Sequence, residues 1–311
     1  MMSLMRGMLI AGSESRWLRE KAPRIGFIKR ATKRFMPGER LEDALGAATV
    51  MQQNGIATML TLLGENITEL AEAEAVTAHY VDAMTRVAQA GLDCQLSIKP
   101  TQLGIDFDKV RCADNIRTLA ASAQSLGNFV WIDMEQYRYV DDTLQLYTDT
   151  LKEFPNVGIC LQAYLHRTPK DLATIIPLGG GVRLVKGAYR EPPENALPVK
   201  SDVDARYVDL AKQMLGPEAK ASGFRAAFGT HDPAIIRTIK DYAAAQGIAK
   251  DGFDFNMMYG IQRTEERRLA DENYKIRVLI SYGEHWFPWY MRRLAERPAN
   301  VWFVAKSIFR G

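Results

Sequence analysis

Short apolar runs and longer amphipathic segments alternate along this chain from residue 40 onward. The apolar runs are five to seven residues long, which is typical of strands that are buried on both faces. The segments between them carry apolar residues three or four positions apart, as at Leu41, Ala44, Leu45, Ala48 and Met51, which is typical of amphipathic helices. The predicted strands are Ile56–Leu62, Gln95–Lys99, Phe129–Asp133, Val157–Gln162, Val182–Lys186, Phe224–Thr230, Phe253–Met258 and Ile276–Ser281.

The repetition of these units predicts the fold class. Helices are predicted at about 40–54, 68–90, 106–126, 141–154, 202–215, 233–246 and 265–272, with one that begins at Pro169 and one that ends at Pro298. Eight strand-then-helix units imply an α/β protein with a single closed (β/α)8 TIM-type barrel. An open doubly wound sheet is the alternative, but it usually has fewer units, and no Gly-x-Gly-x-x-Gly motif follows the first strand. We predict a basic N-terminal helical arm over residues 1–40 and a catalytic barrel over residues 41–311.

Polar residues follow these apolar strands at their C-terminal ends, where barrels of this kind place their active sites. The residues at these ends are Glu65, Lys99, Asp133, Gln162, Lys186, His231, Met258, Tyr259 and Tyr282. A single one could be a structural charge, but a ring of such groups is costly unless they are paired or bind a ligand. The sequence therefore predicts a polar site at this end of the barrel.

The fifth strand carries the most specific part of this pattern. Its period of two places Arg183 on one face and Lys186 on the other, and Gly187 allows backbone to approach a ligand closely. Arginine, lysine and glycine within five residues favour an extended anionic ligand that carries phosphates.

Two adjacent arginines, Arg292 and Arg293, lie in an aromatic segment near the end of the chain. Guanidinium groups bind carboxylates bidentately and stay charged, so the pair is a candidate site for a substrate carboxylate. The alternative is a solvated helix end in which Glu296 pairs with both arginines.

The net charge of +3 is distributed unevenly, because residues 1–40 hold ten Lys or Arg and only three Glu. A basic segment with apolar residues can contact an anionic membrane surface; the alternative is a solvated helical arm packed on the barrel. No nucleic-acid recognition motif accompanies the charge, so no nucleic-acid partner is predicted. The three cysteines are widely spaced and favour reduced thiols in a cytoplasmic protein, and no Cys or His pair has the spacing of metal ligands.

Several of these motifs together resemble the flavin-dependent proline dehydrogenases. The resemblance covers about residues 35–305 in consistent order and is closest to the compact one-domain bacterial enzymes. It rests on Asp133–Glu135, Gln162–Tyr164, Arg183–Tyr189, Thr230–Asp232, Phe253–Gly260 and Arg292–Glu296.

The resemblance implies an FAD-dependent barrel that oxidises L-proline to Δ1-pyrroline-5-carboxylate. A hydride would pass from the ring carbon next to nitrogen to flavin N5, and the electrons would pass to a quinone. The implied protein is cytoplasmic, with peripheral contact at the inner membrane face as a further expectation, and its product would go to a pyrroline-5-carboxylate dehydrogenase.

The resemblance also implies roles for individual residues. Asp133 and Arg183 are the expected catalytic groups, with Asp133 organising the cations and Arg183 beside flavin N5. The expected substrate contacts are Lys99, Arg292, Arg293, Met258, Leu279 and Tyr282. The expected FAD contacts are Met134, Gln162, Lys186, Gly187, Ala188, Thr230 and His231.

Three positions depart from the family pattern and keep other functions open. Trp289 stands where the arginine helix usually has tyrosine, Leu279 replaces a pocket tyrosine, and Thr61 replaces an aspartate. The same chemistry on hydroxyproline or pipecolate is therefore an alternative. A second alternative is a Schiff-base lyase that uses Lys99 or Lys186. A third is a flavin-binding protein without catalytic activity.

Overall fold

The computed structural model describes residues 32–64, 67–287 and 291. Most of the predicted arm, together with Glu65, Arg292 and Arg293, lies outside these residues, and the division at residue 40 remains a prediction. The helices are α1 Leu41–Gln53, α2 Leu70–Gln89, α3 Lys109–Ser125, α4 Val140–Glu153, α5 Thr168–Ile175, α6 Lys200–Met214, α7 Pro217–Ser222, α8 Pro233–Ala245 and α9 Arg263–Asp271. The strands are β1 Ala57–Leu62, β2 Cys94–Ile98, β3 Val130–Ile132, β4 Val157–Gln162, β5 Gly181–Val185, β6 Arg225–Gly229, β7 Asp254–Met258 and β8 Lys275–Tyr282.

The eight strands form one closed parallel barrel in chain order. Closure comes from β8, which pairs with β1 from Ala57 opposite Arg277 to Leu62 opposite Tyr282. The predicted (β/α)8 barrel is therefore confirmed, and the open doubly wound sheet is wrong.

Alternate residues of each strand face two different apolar regions. Met59, Trp131 and Ala227 form a small buried cluster inside the barrel, with Phe129 and Leu279 packed against it. The intervening residues, such as Leu60 and Leu96, belong to the larger core between the barrel and its helices. Both strand faces are thus buried, which explains why the strands are so uniformly apolar.

Element boundaries agree with the sequence to within a few residues, and two differences matter. Four strands end one residue early, so Lys99, Asp133, Lys186 and Thr230 come directly after β2, β3, β5 and β6. The short helix α7 was not predicted; it begins with Pro217 and ends at Gly223 with a φ of 71°, a left-handed conformation that favours glycine. Among the described helices, none is long and apolar enough to span a bilayer.

Candidate active site

Asp133 is the centre of a polar cluster at the C-terminal mouth of the barrel. Its Oδ1 accepts hydrogen bonds from Ser97 Oγ at 2.7 Å and from Arg183 Nη2. Its Oδ2 lies 3.3 Å from Lys99 Nζ. One carboxylate from β3 therefore joins groups from β2 and β5.

The two cations of this cluster have further partners that fix them in place. Lys99 Nζ donates to Thr61 Oγ1 at 2.9 Å. Arg183 donates to Ser97 Oγ at 2.9 Å and to Met59 Sδ at 2.7 Å, and its guanidinium carbon lies 5.5 Å from the centre of the Trp131 ring. The side chains of Lys99 and Arg183 are only 12% and 6% exposed, so both charges are held away from bulk water.

The charges in this cluster stabilise one another despite burial. Burial raises the pKa of Asp133, but Lys99 and Arg183 outweigh that effect and the net pKa lies below its ordinary value. Burial alone would lower the pKa of Arg183, and Asp133 reverses this, so the arginine stays charged. These three groups carry one net positive charge, which favours the approach of a second carboxylate.

The residues that end β4 and follow β5 pack closely against neighbouring backbone and side chains beside this cluster. Gln162 Nε2 donates to the carbonyl oxygens of Met134 and Glu135, while its buried Oε1 has no donor among the described residues. Gly187 has a φ of 117°, and a Cβ there would lie 2.2 Å from the Tyr164 ring. Only glycine fits at that position because of the Tyr164 ring, and the close approach of a ligand there stays a prediction.

Lys186 lies on the rim and is bound by two carboxylates. Its Nζ is 2.5 Å from Asp204 Oδ1 and 3.2 Å from Asp232 Oδ2. Lys200 also contacts Asp204, so two lysines and two aspartates form a balanced cluster. Burial opposes ionisation of Asp204 and Asp232, yet the lysine contacts hold the pKa of each carboxyl below its usual value.

The loop after β6 is tied to the end of β7. The Asp232 backbone N–H donates to Thr230 Oγ1 at 3.1 Å. The Met258 backbone N–H donates to His231 Nε2 at 2.8 Å, so this ring nitrogen acts as an acceptor. Thr230 is buried and Asp232 caps α8 by accepting from the Ala234 backbone N–H.

An apolar wall completes the interior, formed by Met258 and Leu279. The two are paired across β7 and β8, and both are half-buried although most of their strand neighbours are fully buried. Tyr282 is placed differently: it lies in the core between the barrel and its helices, where its hydroxyl is 2.9 Å from His79 Nε2. The substrate contact expected of Tyr282 stays a prediction.

The structure thus brings most of the predicted residues to one mouth, with Ala188 exposed at its rim. Two participants were missed. Ser97 lies two positions before Lys99 on β2, so the strand period already indicated the shared face. Asp204 lies on α6, 18 positions after Lys186, and nothing in the local pattern indicated the contact.

Comparisons with known proteins agree on one family. Residues 44–306 match the family model described as proline dehydrogenase. The chain is 37% identical to proline dehydrogenase from Deinococcus radiodurans over 284 residues, which cover 90% of each protein. It is 35% identical to proline dehydrogenase 1 from Bacillus subtilis subsp. natto over 278 residues, or 89% of this chain and 90% of that protein.

Solved structures show the same fold. The crystal structure of proline utilization A (PutA) from Bdellovibrio bacteriovorus inactivated by N-propargylglycine superposes with a TM-score of 0.79 at 26% identity. The match covers 86% of this chain and 33% of that protein, so the chain spans about a third of its length.

Proposed function

We propose that this chain, which belongs to the proline dehydrogenase family, oxidises L-proline to Δ1-pyrroline-5-carboxylate with a bound FAD and a quinone as electron acceptor. The observation that carries the proposal is the family match over residues 44–306, together with the Asp133 cluster at the barrel mouth. The cluster offers a buried positive charge of the kind that an amino-acid carboxylate needs.

The residues around β4 and β5 fit a flavin. Gln162 Oε1 is a buried acceptor that needs a donor, and a flavin ring N–H is one. Gly187 has no side chain, so the backbone that follows β5 is open to close approach by a ligand. The proposed FAD contacts remain Met134, Gln162, Lys186, Gly187, Ala188, Thr230 and His231.

When bound, FAD supplies the acceptor for the hydride from the ring carbon next to nitrogen. The chain's own residues bind and orient the substrate. Lys99, Arg292 and Arg293 would hold the carboxylate, Met258 and Leu279 would contact the ring, and Asp133 would keep the cations in position. Arg183 would supply positive charge to the flavin, and exclusion of water would strengthen each of these ion pairs.

The lyase alternative is disfavoured by the contacts of both lysines. A nucleophilic lysine needs a neutral amine. Lys99 is bound to Asp133, and Lys186 lies between Asp204 and Asp232, so each amine is engaged by a carboxylate rather than available to attack a carbonyl.

The visible spectrum of the purified protein tests the proposal. We expect a yellow protein whose flavin absorbance is bleached by L-proline under anaerobic conditions and restored by a soluble quinone. A colourless protein that stays colourless after incubation with FAD would overturn the cofactor assignment. Photoreduction without bleaching by proline would favour the non-catalytic alternative, and borohydride trapping of a carbonyl substrate would favour the lyase.

A related ring substrate is the second candidate, because Leu279 stands half-buried on the interior wall. Hydroxyproline or pipecolate would share the carboxylate contacts and differ only at the ring. Bleaching by either compound at lower concentration than by proline would favour it.

The cytoplasmic location, the contact with the inner membrane face and transfer of product to a pyrroline-5-carboxylate dehydrogenase belong to the same proposal. The basic residues 1–40 support the membrane contact. Salt-sensitive co-sedimentation with anionic liposomes would support it, and unchanged binding after deletion of residues 6–34 would contradict it.

A further inference from the structure

A polar cavity lies at the N-terminal mouth of the barrel, opposite the Asp133 cluster. Its volume is about 870 Å³, and its lining includes residues at the starts of β6, β7 and β8. Its charged lining residues are three carboxylates and three cations, namely Asp93, Asp251, Asp254, Arg225, Lys275 and Arg277. The volume lies within the range of about 300–1,000 Å³ that is usual for small-molecule sites.

Arg277 is the most deeply buried cation of this cavity. Its side chain is 8% exposed, and Nη1 donates to the Thr58 carbonyl oxygen at 2.9 Å and to Asp93 Oδ1 at 2.8 Å. Its Nε is also buried and has no hydrogen-bond partner within the described part of the chain. A buried charged donor without an acceptor is costly, so this N–H indicates an acceptor that the described residues do not supply.

Arg225 places a second guanidinium at the same mouth. It is held by Asp254 Oδ2 at 2.5 Å and by Gln95 Oε1 at 3.3 Å. Its guanidinium carbon lies 4.5 Å from the Phe129 ring centre and 5.2 Å from that of Trp131. These contacts fix its orientation, and its side chain remains 30% exposed.

Lys275 adds a cation that can reach a ligand. It is exposed and forms no ion pair among residues 32–64 and 67–287. Asp93, the partner of Arg277, is 65% exposed on its side chain and can therefore move toward solvent at little cost. The cavity thus has cationic donors available even though Arg225 and Arg277 each have a carboxylate partner.

The adjacent interior is also incompletely hydrogen-bonded. Asn256 is the cross-strand partner of Arg277 and is 5% exposed. Both polar atoms of its amide are buried without a hydrogen-bond partner in the described residues. Two paired polar side chains on β7 and β8 therefore have unmet hydrogen bonds among the described residues, which is unusual in a folded interior.

We propose that this cavity binds a small organic anion through a carboxylate or phosphate group. The anion accepts from Arg277 Nε and pairs with Lys275, while Arg225 adds positive charge. Phe224 and Tyr274 also line the cavity and provide apolar surface for the rest of the ligand. The site is separate from the substrate site, because its lining lies at the starts of β6, β7 and β8, whereas Lys99 and Asp133 follow the ends of β2 and β3.

Calorimetric titration of the full chain, loaded with its flavin, tests this site. Succinate and glycerol phosphate are the two probes, titrated separately in chloride buffer. We expect one of them to bind, which identifies carboxylate or phosphate as the preferred group. Lys275→Ala and Arg277→Lys should each weaken that binding by about tenfold, since each removes a charged hydrogen bond.

Two further variants locate the bound probe. Lys170→Ala is the matched control, because this exposed lysine on α5 forms no described ion pair, and its binding should equal that of wild type. Lys99→Met tests for binding at the opposite mouth, and it should leave the affinity unchanged. The proposal is overturned if neither probe binds, if Lys275→Ala leaves the affinity unchanged, or if Lys99→Met abolishes binding. Lys275→Ala alters an exposed side chain, so the test holds even if Arg277→Lys does not fold.

Discussion

The two mouths of this barrel hold buried charge in different ways. At the C-terminal mouth a single carboxylate, Asp133, serves both Lys99 and Arg183. At the N-terminal mouth each arginine has its own carboxylate, with Arg225 on Asp254 and Arg277 on Asp93.

The two arrangements differ in what they offer to an anionic ligand. At the C-terminal mouth, Lys99 and Arg183 carry two positive charges and Asp133 carries one negative charge, so the cluster has a net charge of +1. Most hydrogen-bond donors of this cluster already have an acceptor. The paired carboxylates balance the two arginines, but they leave Arg277 Nε without an acceptor in the described structure. An excess charge attracts an anion from a distance, whereas an unmet donor acts only on contact.

Removal of the shared carboxylate should have the largest effect. Asp133→Ala leaves two buried cations uncompensated, and we expect the free energy of unfolding to fall by about 3–5 kcal/mol. Asp254→Ala is the matched change at the other mouth and should cost only about 1–2 kcal/mol, since Arg225 is 30% exposed and keeps its aromatic contacts. Urea unfolding of both variants measures the comparison, and equal losses would contradict it.

The arginines predicted at the C-terminal mouth should show the next largest effect. Arg292→Met and Arg293→Met should each lower kcat/KM for proline, because each removes a charged hydrogen bond to the carboxylate. The expected loss of transition-state stabilisation is about 1.5–3 kcal/mol for each variant. Flavin absorbance should be unchanged in both variants, and Lys170→Ala serves as the surface control. Prolinamide lacks the carboxylate and should be a poor substrate for the wild-type protein. Equal wild-type activity on prolinamide and proline would exclude this carboxylate contact.

Acid should reduce the contribution of Asp133 to stability. Its pKa in the folded protein lies below the ordinary value of 3.8, so the contribution is fully present above that value and is lost as the pH falls through the folded pKa. We therefore expect the stability difference between wild type and Asp133→Asn to be constant from pH 7 to about pH 5 and to narrow below pH 3.8. Urea unfolding at several pH values would show this, and a difference that grows on acidification would be the wrong sign.

Substrate selectivity should change least. Leu279→Tyr adds a bulky ring with a hydroxyl to the half-buried interior wall. It should raise kcat/KM for proline and lower it for 4-hydroxyproline and pipecolate, with a relative change of about tenfold, or 1.4 kcal/mol. Steady-state kinetics on the three substrates decide the point. Unchanged relative values would mean that position 279 does not contact the substrate.

The sequence was sufficient for the barrel because its strands are buried on both faces and therefore have an unbroken apolar pattern. It also indicated the C-terminal mouth, since Lys99, Asp133 and Lys186 follow directly after their strands. The placement of Tyr282 was predictable in principle, because a period of two from Leu279 places it on the opposite face.

Other features depend on tertiary contacts that no local pattern contains. Asp204 reaches Lys186 from a helix, and the orientation of that helix is set by packing. Arg225 and Arg277 lie near the N-terminal starts of their strands. The rule that active sites form at the C-terminal ends of barrel strands predicts no site there.

The pairing of β1 with β8 has a consequence for synthesis of the protein. Leu60 and Ile280 are paired neighbours although 220 positions separate them. A ribosome that adds about 5–20 residues per second takes roughly 10 to 45 s over that interval. During this time the apolar strand β1 has one edge that no later strand has yet covered. A chain truncated before β8 keeps that edge and the edge of β7 permanently unpaired, so we expect it to aggregate or to depend on chaperones.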